Sequence, residues 1–273
     1  EKVGALMLRR VKEDNLEGLP QKHMLVGIES SDWQYEPKLH AIMTAYQQKV
    51  YEGSIEAQLE DENSHVLTTL MRLRDSSLHP RLADGGRLDA PTSKREIKTL
   101  FDESAKMAKT IEVLTDIQSR HEKCIIFAVN KRLQRFLSIA LGSYFGLGPL
   151  HVINGDAKAV VKKVGALSRK SMITDFEAKE GFNVIIMSPV AAGVGLTVVG
   201  ANNVIHFERH WNPAKEAQAT DRVFRIGQKK DVNIYVPILH HPSFESFDVN
   251  LTLNLLSQRP GVFPPKTTRC SMG

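Results

Sequence analysis

The chain has 273 residues, of which 42% are hydrophobic and 25% charged, the composition of a globular domain with a sizeable core. Its formal net charge of +5 permits a polyanionic partner without demanding one. Two cysteines far apart, Cys124 and Cys270, exclude a disulfide framework and a zinc cluster, and no run of about 18 apolar residues is present to span a membrane.

Glu1 is not an initiator methionine, so the chain is expected to be a fragment of a longer protein. From Ser31 to His79 the pattern is helical. Leu39, Ile42, Met43 and Tyr46 recur at the spacing of one helix face. A second helix is predicted from Ser54 to about Arg74, acidic at first, then apolar at Val66, Leu67, Leu70 and Leu73, with His79-Pro80 ending it. Ala83 to Ser93, carrying Asp84-Gly85-Gly86 and Pro91, reads as a loop. Asp102-Glu103-Ser104 lacks a preceding apolar strand that would deliver an acidic pair to a metal, and reads as a helix N-terminus.

From about Ser104 the grammar changes. Apolar β-prone runs at Cys124–Val129, Leu150–Ile153, Val184–Met187, Val204–Phe207 and Val232–Ile238 alternate with helix-length segments at Lys131–Tyr144, Ser168–Ala178 and Ala214–Phe224. That alternation predicts a mostly parallel sheet covered on both faces. Cys124, inside the first run, is expected to be a buried, inert thiol, which suits a reducing compartment. Ligands in such folds bind beyond the carboxyl ends of the strands. Asn154-Gly155-Asp156, Ser188 to Gly195 and Glu208 to Pro213 all follow strands there.

Three of these stretches have chemical potential. In Ala191-Ala192-Gly193-Val194-Gly195-Leu196-Thr197, small residues let backbone amides approach an anion, although tight turns also use glycine for steric reasons. In Trp211-Asn212-Pro213, Asn212 fits an N-cap and Pro213 the first helical turn, while Trp211 fits a packing anchor. Gln218 to Gln228 places Arg222 and Arg225 three apart, on one face of a helix. A planar guanidinium pair suits the negative charge of a transferring phosphoryl group, and equally suits a solvated surface. Glu216 and Asp221 fit either salt bridges to those arginines or solvation. No Walker A loop is present: Gly165-Ala166-Leu167-Ser168-Arg169-Lys170-Ser171 lacks the second glycine. The ten histidines show no metal-ligand spacing, so no metal site is expected. No glycine fingerprint follows the first strand, which argues against a Rossmann-type small-molecule enzyme.

Taken together, these motifs resemble the second RecA-like lobe of the Swi/Snf-like branch of superfamily-two helicase-related ATPases. Leu8-Arg9-Arg10-Val11-Lys12-Glu13-Asp14 and Leu19-Pro20-Gln21-Lys22 resemble the segment leaving the first lobe; Leu70-Met71-Arg72-Leu73-Arg74 with His79-Pro80 and Ser104-Ala105-Lys106-Met107 are similar to family runs that follow. Lys123-Cys124-Ile125-Ile126-Phe127 resembles motif IV, Ile153-Asn154-Gly155 the glycine-ending run after it, Ser188 to Thr197 motif V, Val204 to Pro213 the linking motif, and Glu216, Gln218 and Asp221 to Gln228 motif VI. The joint presence of Trp-Asn-Pro and Arg-Ile-Gly-Gln at this spacing is highly specific.

The resemblance implies an α/β fold: a RecA-like, mostly parallel sheet flanked by helices, with an N-terminal helical protrusion. It divides the chain into residues 1–30 leaving the first lobe, 31–103 as protrusion and loop, 104–258 as the lobe, and 259–273 as a tail. It implies a double-stranded-DNA-stimulated ATPase using ATP with Mg2+ bound mainly by the first lobe, in the cytoplasm or nucleoid of a bacterium or the nucleus of a eukaryote. Arg222 and Arg225 would reach the triphosphate, with Gln218, Gly193 and Gly195 shaping the nucleotide face. Phe127, Asn154, Gly155, Ser188 and Thr197 would lie near DNA phosphates, and Trp211, Glu216 and Asp221 would couple lobe closure to DNA movement. Ala192 stands where the family usually has glycine and Thr197 where it has asparagine, which puts the contacts there in question. The rival reading is a non-catalytic DNA-binding or partner-docking module on the same fold.

Overall fold

The computed structural model describes residues 20–60, 65–88, 91, 93–155, 168–192, 198–221, 223 and 228–257. In chain order the elements are β1 (Lys22–Val26), β2 (Gln34–Tyr35), a 3-10 turn (Pro37–Leu39), β3 (His40–Ile42), α1 (Ala45–Glu60), α2 (Val66–Leu78), α3 (Pro80–Ala83), α4 (Lys94–Glu103) and α5 (Ala105–Ser119). There follow β4 (Lys123–Phe127), α6 (Lys131–Tyr144), β5 (Val152–Ile153), α7 (Arg169–Ala178), β6 (Asn183–Met187), α8 (Pro189–Ala192), β7 (Asn203–His206), α9 (Pro213–Thr220), β8 (Val232–Val236), β9 (Ile238–His240) and α10 (Phe247–Ser257). Seven strands form one sheet in the order β2-β1-β8-β7-β4-β6-β5, and every pairing in it is parallel. β3 and β9 form a separate parallel pair.

The central strands are apolar at nearly every position because both faces are covered. Cys124 and Ile126 of β4 enter a core with Leu114 and Ile117 of α5 and Phe136 and Leu137 of α6. Ile125 and Phe127, pointing the other way, join Ile173 and Phe176 of α7 and Ala219 of α9. The two-residue period of a strand thus sorts one pentapeptide between two cores. Cys124 is fully buried, and burial pushes its thiol far above the ordinary range, so it is inert. Asn130 starts α6 by accepting from the amides of Arg132 and Leu133. No helix among the described residues is long and apolar enough to cross a membrane.

The N-terminal third differs from its sequence pattern. The periodic set Leu39, Ile42, Met43 and Tyr46 does not form one helix face: β3 pairs with β9, and Ile42 is 58% exposed at that edge. The helix starts only after Thr44, whose hydroxyl accepts from the Gln47 amide at 3.1 Å. The helix predicted over 54–74 is two, α1 and α2, packed as a hairpin. Asp102 and Glu103 end α4 instead of starting a helix, and Ser104 is the cap of α5. Strand β1, in the stretch expected to leave the first lobe, pairs with β8 along its whole length. Gly27, just after β1, is required by close approach: a Cβ there would lie 2.1 Å from the carbonyl oxygen of Leu39.

One buried ion pair joins the layers. The Lys106 ammonium in α5 meets Asp248 of α10 and donates to the Phe207 carbonyl at 3.3 Å, while Asp248 accepts from the Leu239 amide at 3.1 Å. Replacing Lys106 by Met would leave a buried carboxylate without its counter-charge. Lys106→Met is therefore expected to destabilise the fold by about 3–5 kcal/mol, as read from the midpoint of denaturant unfolding.

Candidate functional site

Parallel pairing puts the carboxyl ends of β5, β6, β4 and β7 side by side, and each ladder runs one residue past its strand. The Ser188 amide donates to Ile153 O at 2.8 Å, Ala128 to Met187 O at 3.1 Å and Glu208 to Phe127 O at 3.2 Å. This stitched edge brings together Asn154, Gly155, Ser188 and the turn from Glu208 to Asn212. Asn154 donates its side-chain amide to Gln134 at 2.8 Å, Gln134 donates to Ala128 O at 2.7 Å, and Arg169 donates to Asn154 O at 3.2 Å. A Cβ on Gly155 would meet nothing within 4 Å, so packing does not demand glycine there. The Phe127 side chain is fully buried and stacks on His206, ring centroids 5.1 Å apart. Only its backbone belongs to this edge. Ala192 is the last residue of α8.

Two consecutive charges organise the turn after β7. Glu208 is 2% exposed; it pairs with Arg74 of α2 and accepts from the amides of Val129 and Asn130 at 2.5 and 2.7 Å. Burial raises its carboxyl above the ordinary range, against the pull of Arg74 and the two amides. Arg209, equally hidden, turns the other way and grips Glu216 of α9 through both carboxylate oxygens, at 2.5 and 3.2 Å. Glu216 also accepts from the His210 amide at 3.2 Å. Burial works against the Glu216 charge, but the guanidinium of Arg209 and these donors outweigh it and hold the carboxyl down at about 2.

Asn212 caps α9 by accepting from the amides of Ala214 and Lys215, with Pro213 in the first turn, as the sequence predicts. Trp211 is 41% exposed, edge-on to Phe247 at 5.4 Å, with the Arg74 guanidinium 5.8 Å from its ring centre. Gln218 is exposed on α9. Asp221, at the other end of that helix, pairs with Lys22 at 2.7 Å. Among the described residues, Glu216 and Asp221 thus pair with Arg209 and Lys22. Gln228 is fully engaged: its amide donates to Ala201 O at 2.7 Å and Val199 O at 3.3 Å, and its oxygen accepts from the amides of Lys229 and Lys230. Arg222, Arg225, Gly193, Gly195 and Thr197 lie outside the described residues. Among the described residues, no group of three His, Cys, Asp or Glu side chains is placed to hold a metal ion.

Glu208 and Arg209 lay in a stretch marked only as following a strand, and the individual roles of Arg74, Lys22 and Arg169 were not read from the sequence. The one local signal was a charged pair one residue after a fully buried strand, where burial forces each charge to find a partner.

Residues 105–227 match the family described as helicase conserved C-terminal domain. The chain is 36% identical over 259 residues to Zorya protein ZorD of Escherichia coli, covering 92% of this chain and 22% of that protein. It is 29% identical over 259 residues to the putative ATP-dependent helicase/translocase YwqA of Bacillus subtilis, covering 91% of this chain and 25% of that protein. The chain therefore spans a quarter or less of these two relatives. The Sulfolobus solfataricus SWI2/SNF2 ATPase core in complex with dsDNA is similar with a TM-score of 0.58 and 25% identity, over 88% of this chain and 45% of that one.

The depressed carboxyl of Glu216 sets a pH dependence. Its stabilising contribution is complete above its unfolded value of 4.5 and is lost as pH falls toward about 2. Glu216→Gln leaves Arg209 buried without a counter-charge, so a loss of about 3–5 kcal/mol is expected at neutral pH. The gap between wild-type and variant melting temperatures should narrow as the melt is repeated from pH 4.5 downward.

Proposed function

The chain belongs to the Swi/Snf-like branch of superfamily-two helicase-related ATPases as a C-terminal RecA-like lobe, and we propose that it is the second motor lobe of a double-stranded-DNA-stimulated translocase. The observation that carries the DNA reading is the charge at the stitched edge. Helices α6 and α7 open with Lys131-Arg132 and Arg169-Lys170. A helix N-terminus is the positive end of the macrodipole and disfavours cations, so these two pairs work against their own helices. Arg132 also donates to Gly86 O at 3.1 Å and Arg169 to Asn154 O at 3.2 Å, so both are held at this edge, and an external polyanion along the two helix ends reverses the sign of the dipole cost.

In this reading the duplex backbone runs along Asn154, Ser188, Thr197 and the main chain at Phe127 and Gly155, where the glycine leaves room for a phosphate. Such contacts carry no sequence code, so the track is sequence-neutral. ATP is the substrate, held mainly by the first lobe. Mg2+ on that side would neutralise the phosphate oxygens. Arg222 and Arg225 supply charge stabilisation to the transferring phosphoryl group when the lobes close, Gln218 shapes that face, and Gly193 and Gly195 link it to the track. Trp211, Glu216 and Asp221 transmit closure to the DNA edge. By itself the lobe hydrolyses ATP negligibly, and the whole protein works where DNA is, in nucleoid or nucleus.

The reading is tested in the parent protein. Arg225→Ala is expected to lower DNA-stimulated hydrolysis by about 10³–10⁵-fold. Survival of near-wild-type turnover would instead favour a DNA-binding or docking module without a catalytic arginine. Lys170→Ala is expected to weaken duplex binding by a similar factor on unrelated sequences, and to reduce the slope of log affinity against log salt by about 1.

A further inference from the structure

We infer that Lys22, with its neighbour Gln21, is a positioning residue for the segment that carries Arg222 and Arg225. The inference rests on the assignment of those arginines to the triphosphate. Helix α9 ends at Thr220, and Asp221 is its C-cap, with φ −66° and ψ −10° and its amide donating to Ala217 O and Ala219 O. A carboxylate at a helix C-terminus faces the negative end of the macrodipole, so the side chain of Asp221, unlike its amide, does nothing for its own helix. Among the described residues that carboxylate meets Lys22, at 2.7 Å, immediately before Arg222.

The far end of the same segment returns to the same place. The Gln21 amide donates to the Asp231 carboxylate at 2.8 Å, and the Val232 amide donates to Gln21 O at 2.9 Å. In the ladder Lys22 is the partner of Val232, and β1 stays in register with β8 as far as Val236. Gln228 anchors the approach to β8 by its contacts to Ala201, Lys229 and Lys230. Two consecutive residues therefore hold the backbone just before and just after residues 222–230. They lie where the stretch leading from the first lobe enters the sheet. A change in the path of that stretch is delivered to both ends of the arginine segment at once.

Stability alone does not account for the pair. The Lys22 and Asp221 side chains are 31% and 43% exposed. Exposed pairs contribute about 0–1 kcal/mol to folding. Position matters far more at a reacting centre, where a displacement of about 1 Å costs about 100-fold in rate.

The test is steady-state ATP hydrolysis by the parent protein with saturating duplex DNA. Lys22→Gln, Asp221→Asn, the double variant and the exchange Lys22→Asp with Asp221→Lys are compared, with Arg225→Ala alongside. Each neutral single variant is expected to lower kcat by about 10- to 100-fold. The KM for ATP should stay within about twofold, because the lost contact acts in the closed transition state and not in ground-state binding. The melting temperature should not move, the double variant should be no slower than either single, and the exchange should recover most of the rate. Wild-type kcat in both single variants, with Arg225→Ala impaired, would overturn the positioning role and leave the arginine assignment intact. Losses that multiply in the double variant with no recovery on exchange would overturn it too. An unimpaired Arg225→Ala would remove the assignment beneath it.

Discussion

Glu208 and Arg209 are consecutive, opposite in charge and almost excluded from solvent, which leaves each with a large desolvation cost that only a partner can offset. They do not pair with one another. Glu208 turns to Arg74 and the amides opening the β4–α6 turn, and Arg209 turns to Glu216 in α9. One dipeptide at the end of β7 therefore ties the helical hairpin, the motif IV turn and the motif VI helix to a single strand end. Arg74 adds Trp211 to the same knot. The Trp-Asn-Pro turn has little freedom left: one end is fixed by these charges, the other by the Asn212 cap.

The sheet was legible where burial on both faces produced unbroken apolar runs. β4, β6 and β7 announced themselves that way, and α6 was readable to its ends because an Asn cap and a clean apolar stripe frame it. β1, β2 and β3 were not, since short strands toward an edge of a sheet mix polar and apolar residues. The set Leu39 to Tyr46 shows the hazard of periodicity alone: Leu39 and Met43 are buried as a helix stripe demands, but Ile42 is exposed and the segment runs from a 3-10 turn through a strand into α1. The buried charges were hidden for a different reason. Whether Glu208 lies in solvent or beneath α2 depends on Arg74, 134 residues earlier, and no local pattern carries that information. Lys106 is the intermediate case, marked by a family run and explained only when Asp248 and the Phe207 carbonyl are seen beside it.

These contacts give α9 a particular mechanical character. It is a short helix, too short to be stable by propensity, and its order comes from its ends and its buried stripe. Its start is fixed by a buried, bidentate pair that is expensive to break, and its finish by an exposed pair that is cheap. The ion pairs are therefore graded along the helix, buried at its start and exposed at its finish. On the proposed reading that asymmetry has a use: the strand ends would keep their geometry against a duplex, while the chain beyond Asp221 would adjust to a partner lobe. Lys22 sits at the exposed end, on a strand whose own pairing to β8 is complete. Were the proposed positioning role correct, a displacement of β1 would be taken up at the helix terminus in preference to the strand, because an exposed pair yields before a complete ladder does.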